Sequence, residues 1–362
     1  MTTLIPVLAA LVAALLVLVI FRVRHRRGRA VGVTATAWPV TAKAEAMDDA
    51  MCVDGEQAWR ILQQAQRGFH ALALGVPGTD AADEELDPPH RAVIAAVITA
   101  LGRADLSPRY TPRRPQLLPQ LIQSVNDTAA SSRSISAIIG QDPVLAGNLL
   151  RIANSPLYRL QSRPVESIER AVTLVGTDGI RQIISAALVQ PVMHAGGGDG
   201  SRFPVLIWEY SLRVSAAAAD HARGVERDDG FAAQLAGLLH GLGAVVVMQA
   251  AHDEYARQPA LAPSALALRE LLERCTQPTA ARIALHWELA DVIHQALHDG
   301  DSPAAQDSAL GRSLRFARTA AALAVLCAEQ QMEDARALDL LAQLAPAHVA
   351  GWIWKRIRQP AA

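Results

Sequence analysis

From Leu117 to the end of the chain, apolar residues recur every three or four positions, and no run alternates with the period of two that marks a strand. That pattern constrains the fold more than any single motif, because helix and strand bury different sets of positions. Alanine and leucine favour helix. They supply much of the 51% hydrophobic content, while aromatic residues make up only 4%. The expected fold class is all-α. The formal net charge of -1 provides no global field for nucleic acid, so none is expected as a partner. Cys52, Cys275 and Cys327 lie far apart with no CxxC pair, which supports neither a zinc ribbon nor a disulfide framework.

Leu4–Phe21 is an uncharged apolar run, about 27 Å long as a helix, close to the thickness of a bilayer core. Arg22, Arg24, Arg26, Arg27 and Arg29 follow it, and nothing basic precedes it. A secretory signal peptide has the opposite order. The positive-inside rule keeps this cluster in the cytoplasm. The expectation is one transmembrane helix in the inner membrane, residues 1–29 with the basic stretch, and the bulk of the chain in the cytoplasm. Residues 30–46 read as a tether, and 47–111 as a small helical region. Within that region Ala58, Ile61, Leu62, Ala65, Phe69 and Leu72 share one helical stripe, and 91–103 forms a second helix.

Helix boundaries are marked by local chemistry. Asp142 and Pro143 suit an N-cap and first helical position. Asn154, Ser155 and Pro156 stop that helix, with Asn154 able to adopt left-handed geometry. Ser167 caps the next helix and Gly176 ends it. In "GLLHGLG", residues 237–243, His240 reads as a residue in a helix's last turn, with Gly241 and Gly243 turning the chain into the following apolar segment.

Together these stretches resemble HDOD domains, the HD-related output domains. "LLPQLI" at 117–122, "DPVLAGNLLRIANSPLY" at 142–158, "SIERAVTLVGTDGIRQII" at 167–184, "WEYS" at 208–211 (with Trp208), "GLLHGLG" at 237–243 and "ALHWELADVIHQALHD" at 284–299 (with Trp287) carry the likeness. It spans roughly residues 112–305, leaving 306–362 as C-terminal helices expected to pack on the domain. The resemblance implies a multi-helix HD-like fold and a role in bacterial signalling, as an output or interaction module usually without phosphohydrolase activity. It therefore implies a protein partner and no cofactor.

An HD phosphohydrolase site needs histidine and aspartate ligands converging on a divalent ion that activates water. His240 matches the motif histidine, but Gly241 stands where the aspartate belongs. Trp208 and Ser211 stand near the position of an upstream histidine, with His221 further along. "LRFARTAAALAVLC" contains no acid for the late ligand. Loss of these ligands predicts no catalytic residues and no metal. The competing reading is a divergent phosphohydrolase using His240, His294 and His298, since the last two are four apart on one helix face, with His286 and Asp299 nearby. A third is a sensor that binds a nucleotide, such as a cyclic dinucleotide, without cleaving it. Arg312, Arg315 and Arg318 recur every three residues, and the plainer expectation for them is a solvated face.

Overall fold

The structure is a computed structural model. It describes residues 55–76, 86–103, 110, 131–141, 146–147, 149–150, 153–154, 165–176, 180, 202–299 and 308–358. Leu4–Phe21, the arginines from Arg22 to Arg29, Cys52, Asp142, Pro143 and Ser155 lie outside these residues. Every regular element among them is helical: α1 Gly55–Leu74, α2 Pro88–Gly102, α3 Ser132–Ile139, α4 Phe203–His221, α5 Gly230–Ala256, α6 Ala265–His286, α7 Asp291–Asp299, α8 Ala309–Ala328, α9 Asp334–Ala342 and α10 Ala347–Arg358. A further helical segment covers 168–176, and a short π-helix, Ala222–Glu226, follows α4.

Starts and stops follow from local residues. Asp229 caps α5 by accepting from the Phe231 and Ala232 amides, and Ser264 and Ser308 cap α6 and α8 the same way. Two prolines, Pro88 and Pro89, open α2, where the missing amides have no partner to lose. Gly176 takes φ +66° at the end of its helical segment, a conformation that costs glycine nothing.

Helices α4, α6, α2, α7 and α8 all pack against α5. That helix is long and apolar enough to cross a membrane, with mean hydropathy 1.8 over its best window. However, 89% of the window is buried by its neighbours inside the fold. It also runs unbroken through 237–243. The expected turn at "GLLHGLG" is therefore not there, and His240 caps no helix end.

Close packing explains the glycines instead. A Cβ on Gly237 would stand 3.0 Å from the backbone of Ser215 in α4, and one on Gly243 would stand 2.5 Å from the Thr276 carbonyl oxygen in α6. A Cβ on Gly241 would overlap Ser211 Oγ and lie 2.6 Å from Ser211 Cβ. Removing three side chains lets α4 and α6 approach the backbone of α5 from two sides.

Elements outside the HD-like region belong to the same core. Helix α1 packs on α8, α6 and α4, burying Leu62, Ala65, Phe69 and Ala73. At the other end, α10 buries Ile353, Trp354 and Ile357, while Arg213 Nε donates to the Ile357 carbonyl at 3.0 Å. Cys275 and Cys327 are buried and in no disulfide.

Asn154 does not adopt left-handed geometry; the non-glycine residues with positive φ among the described residues are Arg227, Glu288 and Gln330. Its amide works as a clamp. Nδ2 donates to the carbonyls of Leu150 and Val165, both at 2.9 Å, and Oδ1 accepts from the Val165 amide at 2.7 Å. Asn154→Ala is expected to cost about 2 kcal/mol, because it leaves partly buried backbone groups at Val165 unmet. A urea midpoint equal to that of the wild type would show that water replaces the clamp.

Candidate functional site

Five helices enclose a cavity of about 330 Å³ beside His240. α1 contributes Gln66 and His70, four residues apart and so on one helix face. α4 contributes Tyr210, α5 His240, α6 Thr276 and Gln277, and α8 Arg318. All seven side chains are buried. Trp59, Gln63, Arg67, Glu273 and Arg274 form the more exposed rim.

A hydrogen-bond network fixes the floor. Gln66 Nε2 donates to Tyr210 Oη at 3.0 Å and to the Arg318 carbonyl at 3.0 Å. The Arg318 guanidinium donates to Gln277 Oε1 and also hydrogen-bonds Tyr210. The Tyr210 ring stacks on Phe69 with centroids 4.4 Å apart, and sits 6.1 Å from the His240 ring. These contacts hold a full positive charge in the interior, where hydrogen bonds to neutral partners spread it.

Burial and then this charge shift the neighbours. Burial, then Arg318, then Arg269 push the His70 pKa down to about 3. Burial, Arg318 and His70 hold His240 well below the ordinary histidine value. Burial raises the Tyr210 pKa, opposed by Arg318 and Gln66. Both imidazoles are therefore neutral at neutral pH, and Arg318 is the fixed cation.

The expectation of a solvated arginine face fails at Arg318. A step of three residues turns a helix by about 300°, so each step falls about 60° short of a full turn. Arg312 is exposed and pairs with Glu226, Arg315 is half-buried, and Arg318 is 9% exposed. The series winds from solvent into the core.

The candidate metal ligands do not assemble. His294 and His298 lie on α7 with ring centroids 6.3 Å apart, His294 half-buried and His298 exposed, and His286 is exposed. Asp299 accepts from the Ser308 amide at 2.7 Å at the entry to α8. Among the described residues, no three His, Cys, Asp or Glu side chains converge where one ion could be held.

His221 is buried at the far end of α4, bonded to Ser313 and stacked on Phe316 at 4.5 Å, with its pKa pushed to about 3 by burial and by Arg312. Ser211 Oγ donates to its own helix at Ile207 and fills the space beside Gly241. Trp287 is fully buried after α6, and Trp208 is half-buried against the core. Around His240 the cavity thus offers neutral nitrogens, amides, hydroxyls and a guanidinium. No three His, Cys, Asp or Glu side chains among the described residues could hold an ion there, and the guanidinium repels a divalent cation, so these residues do not fit a metal.

Sequence reading missed Gln66, His70, Tyr210 and the burial of Arg318. A signal was present: Gln66 and His70 interrupt the apolar stripe of Leu62, Phe69 and Ala73 with polar groups on a core-facing side.

Comparison with known proteins agrees with this architecture. The HDOD domain profile matches residues 111–303. An HDOD domain protein of unknown function from Geobacter sulfurreducens is 19% identical, with TM-score 0.50 over 74% of this chain and 96% of its own. A candidate signal transduction protein from Marinobacter aquaeolei VT8 is 20% identical, with TM-score 0.50 over 78% of this chain and 69% of its own. A candidate metal-dependent phosphohydrolase from Shewanella amazonensis SB2B is 21% identical, with TM-score 0.49 over 75% of this chain and 99% of its own. No curated protein matches the sequence. Identities this low establish the fold alone. The cavity also draws on α1 and α8, which lie outside the matched residues.

Proposed function

We propose that this chain, which belongs to the HDOD domain family, is a signal-transduction output module that binds a protein partner and does not hydrolyse phosphoesters. The observation that carries the reading is Gly241 packed against Ser211 beside a cavity that holds the Arg318 guanidinium. Two observations support this reading: a side chain at position 241 would overlap Ser211, and the nearby cavity holds a cation. A helical surface of this kind can serve a partner without any chemistry. Leu4–Phe21 and the arginines after it support placement at the cytoplasmic face of the inner membrane. Tethering there raises the effective concentration for partners at the membrane without any new contact.

The test is turnover by the full-length chain in detergent. Bis(p-nitrophenyl) phosphate is offered with manganese, zinc or magnesium, and metal content is read by elemental mass spectrometry. No turnover and no stoichiometric metal are expected. Metal-dependent hydrolysis that disappears in His240→Ala would sink the proposal.

A further inference from the structure

We propose that the cavity floored by His70, His240, Thr276, Gln277 and Arg318 is a binding site for a small oxyanion, the phosphate or carboxylate group of a metabolite. The proposal deepens the reading above and rests on it only in taking the site to hold no metal. Four residues that line this cavity each carry a buried polar atom with no hydrogen-bond partner within the protein: His70 Nδ1, His240 Nδ1, Thr276 Oγ1 and Gln277 Nε2. Their residues are 7%, 3%, 5% and 2% exposed. Buried polar groups are nearly always paired, so four such residues in one cavity wall point to a polar occupant.

Donor chemistry sets the sign of that occupant. Gln277 Oε1 accepts from Arg318, which leaves its Nε2 amide, a donor only, without a partner. Thr276 presents a hydroxyl, and each neutral imidazole can present an N–H. Arg318 adds a fixed positive charge. At the rim, Arg67 and Arg269 lie 3.8 and 4.0 Å from Glu273, which offsets the acid nearest the opening. The complement to donors around a cation is an anion rich in acceptors. At about 30 Å³ per water molecule, the cavity's volume of about 330 Å³ equals about eleven waters, near the lower end of ligand pockets. A small metabolite fits within it. Because His70 comes from α1 and Arg318 from α8, an occupant would bind both flanking helices to α5 and α6.

The full-length chain, purified in detergent without phosphate, is titrated with inorganic phosphate and separately with acetate at constant ionic strength. Chloride is the control anion. Tm and amide exchange in α1 are followed. A saturable rise in Tm with at least one of the two anions is expected, together with slowed exchange in α1. A response to phosphate alone identifies a phosphate-bearing ligand, and a response to acetate alone a carboxylate.

Thr276→Val removes a hydroxyl that bonds nothing in the protein, so the fold is kept and affinity is expected to fall about fivefold. Arg318→Met is expected to abolish binding, and if that chain does not fold, Thr276→Val decides. The proposal is overturned by a response no different from chloride, or by affinity unchanged in Thr276→Val. Failure here leaves the absence of hydrolysis standing, and hydrolysis would leave a measured anion affinity standing.

Discussion

Gly241→Asp, which places an aspartate after His240, is expected to destabilise the fold by at least about 3 kcal/mol and to recruit no metal. A Cβ at 241 would overlap Ser211 Oγ and lie 2.6 Å from Ser211 Cβ. Ser211 has nowhere to retreat, because it is 2% exposed and its hydroxyl bonds the Ile207 carbonyl at 2.6 Å. Overpacking a close-packed core costs about 1–3 kcal/mol, and burying a carboxylate adds to that. Gly241→Ala isolates the packing component. At an unencumbered site inside a helix, alanine replaces glycine with a gain of about 1 kcal/mol. Here a loss of about 1–2 kcal/mol is expected instead. Adding Ser211→Gly should recover most of it, since the two positions touch and their effects will not add. Urea midpoints of the three chains measure this. A Gly241→Ala chain at least as stable as the wild type would mean that α4 and α5 are not in contact at this distance.

Acidification from about pH 7.5 to about pH 5.5 is expected to remove about 4 kcal/mol of stability through His70, His221 and His240. Burial is the first cause at each. Arg318 and Arg269 add to it at His70, Arg312 at His221, and Arg318 with His70 at His240. The folded pKa is about 3 for His70 and His221 and well below 6.5 for His240, whereas the unfolded value is 6.5. As pH falls below 6.5 the unfolded chain takes up protons that the folded chain refuses, down to about 3 at His70 and His221. Stability is therefore whole above 6.5 and drains away beneath it, with each histidine contributing about 1.4 kcal/mol per pH unit once well below its unfolded pKa. Denaturation at the two pH values provides the measurement, and His221→Gln should remove about a third of the loss. Stability at about pH 5.5 within about 1 kcal/mol of that at about pH 7.5 would show that water or rearrangement lets these rings charge inside the fold.

Both predictions depend on residues whose meaning changed between the chain and the fold. Glycine in a sequence speaks first of backbone freedom, so Gly241 and Gly243 read as a turn. In the structure they sit inside an unbroken helix and answer the nearness of Ser211 and Thr276. Nothing in residues 237–243 records that nearness. Arg318 looked like the third member of a surface series, and whether a helix face meets water or another helix is settled by what packs there. His240 lines the cavity, and Gln66, His70, Tyr210, Gln277 and Arg318 join it there from four other helices, which no local pattern around residue 240 records.

The sequence by itself determined the all-helical class, the caps at Ser167 and the stop at Gly176, and the stripe of α1 that includes Leu62, Ala65 and Phe69. These are effects of neighbours three or four residues apart, so the local chain carries the information. Tertiary structure alone decided that α1 and α8 complete the cavity, that Gly241 meets Ser211 with no room for a side chain, and that a guanidinium stands among the histidines. Each of these is a meeting of side chains far apart in sequence, and only packing at van der Waals distance brings them about.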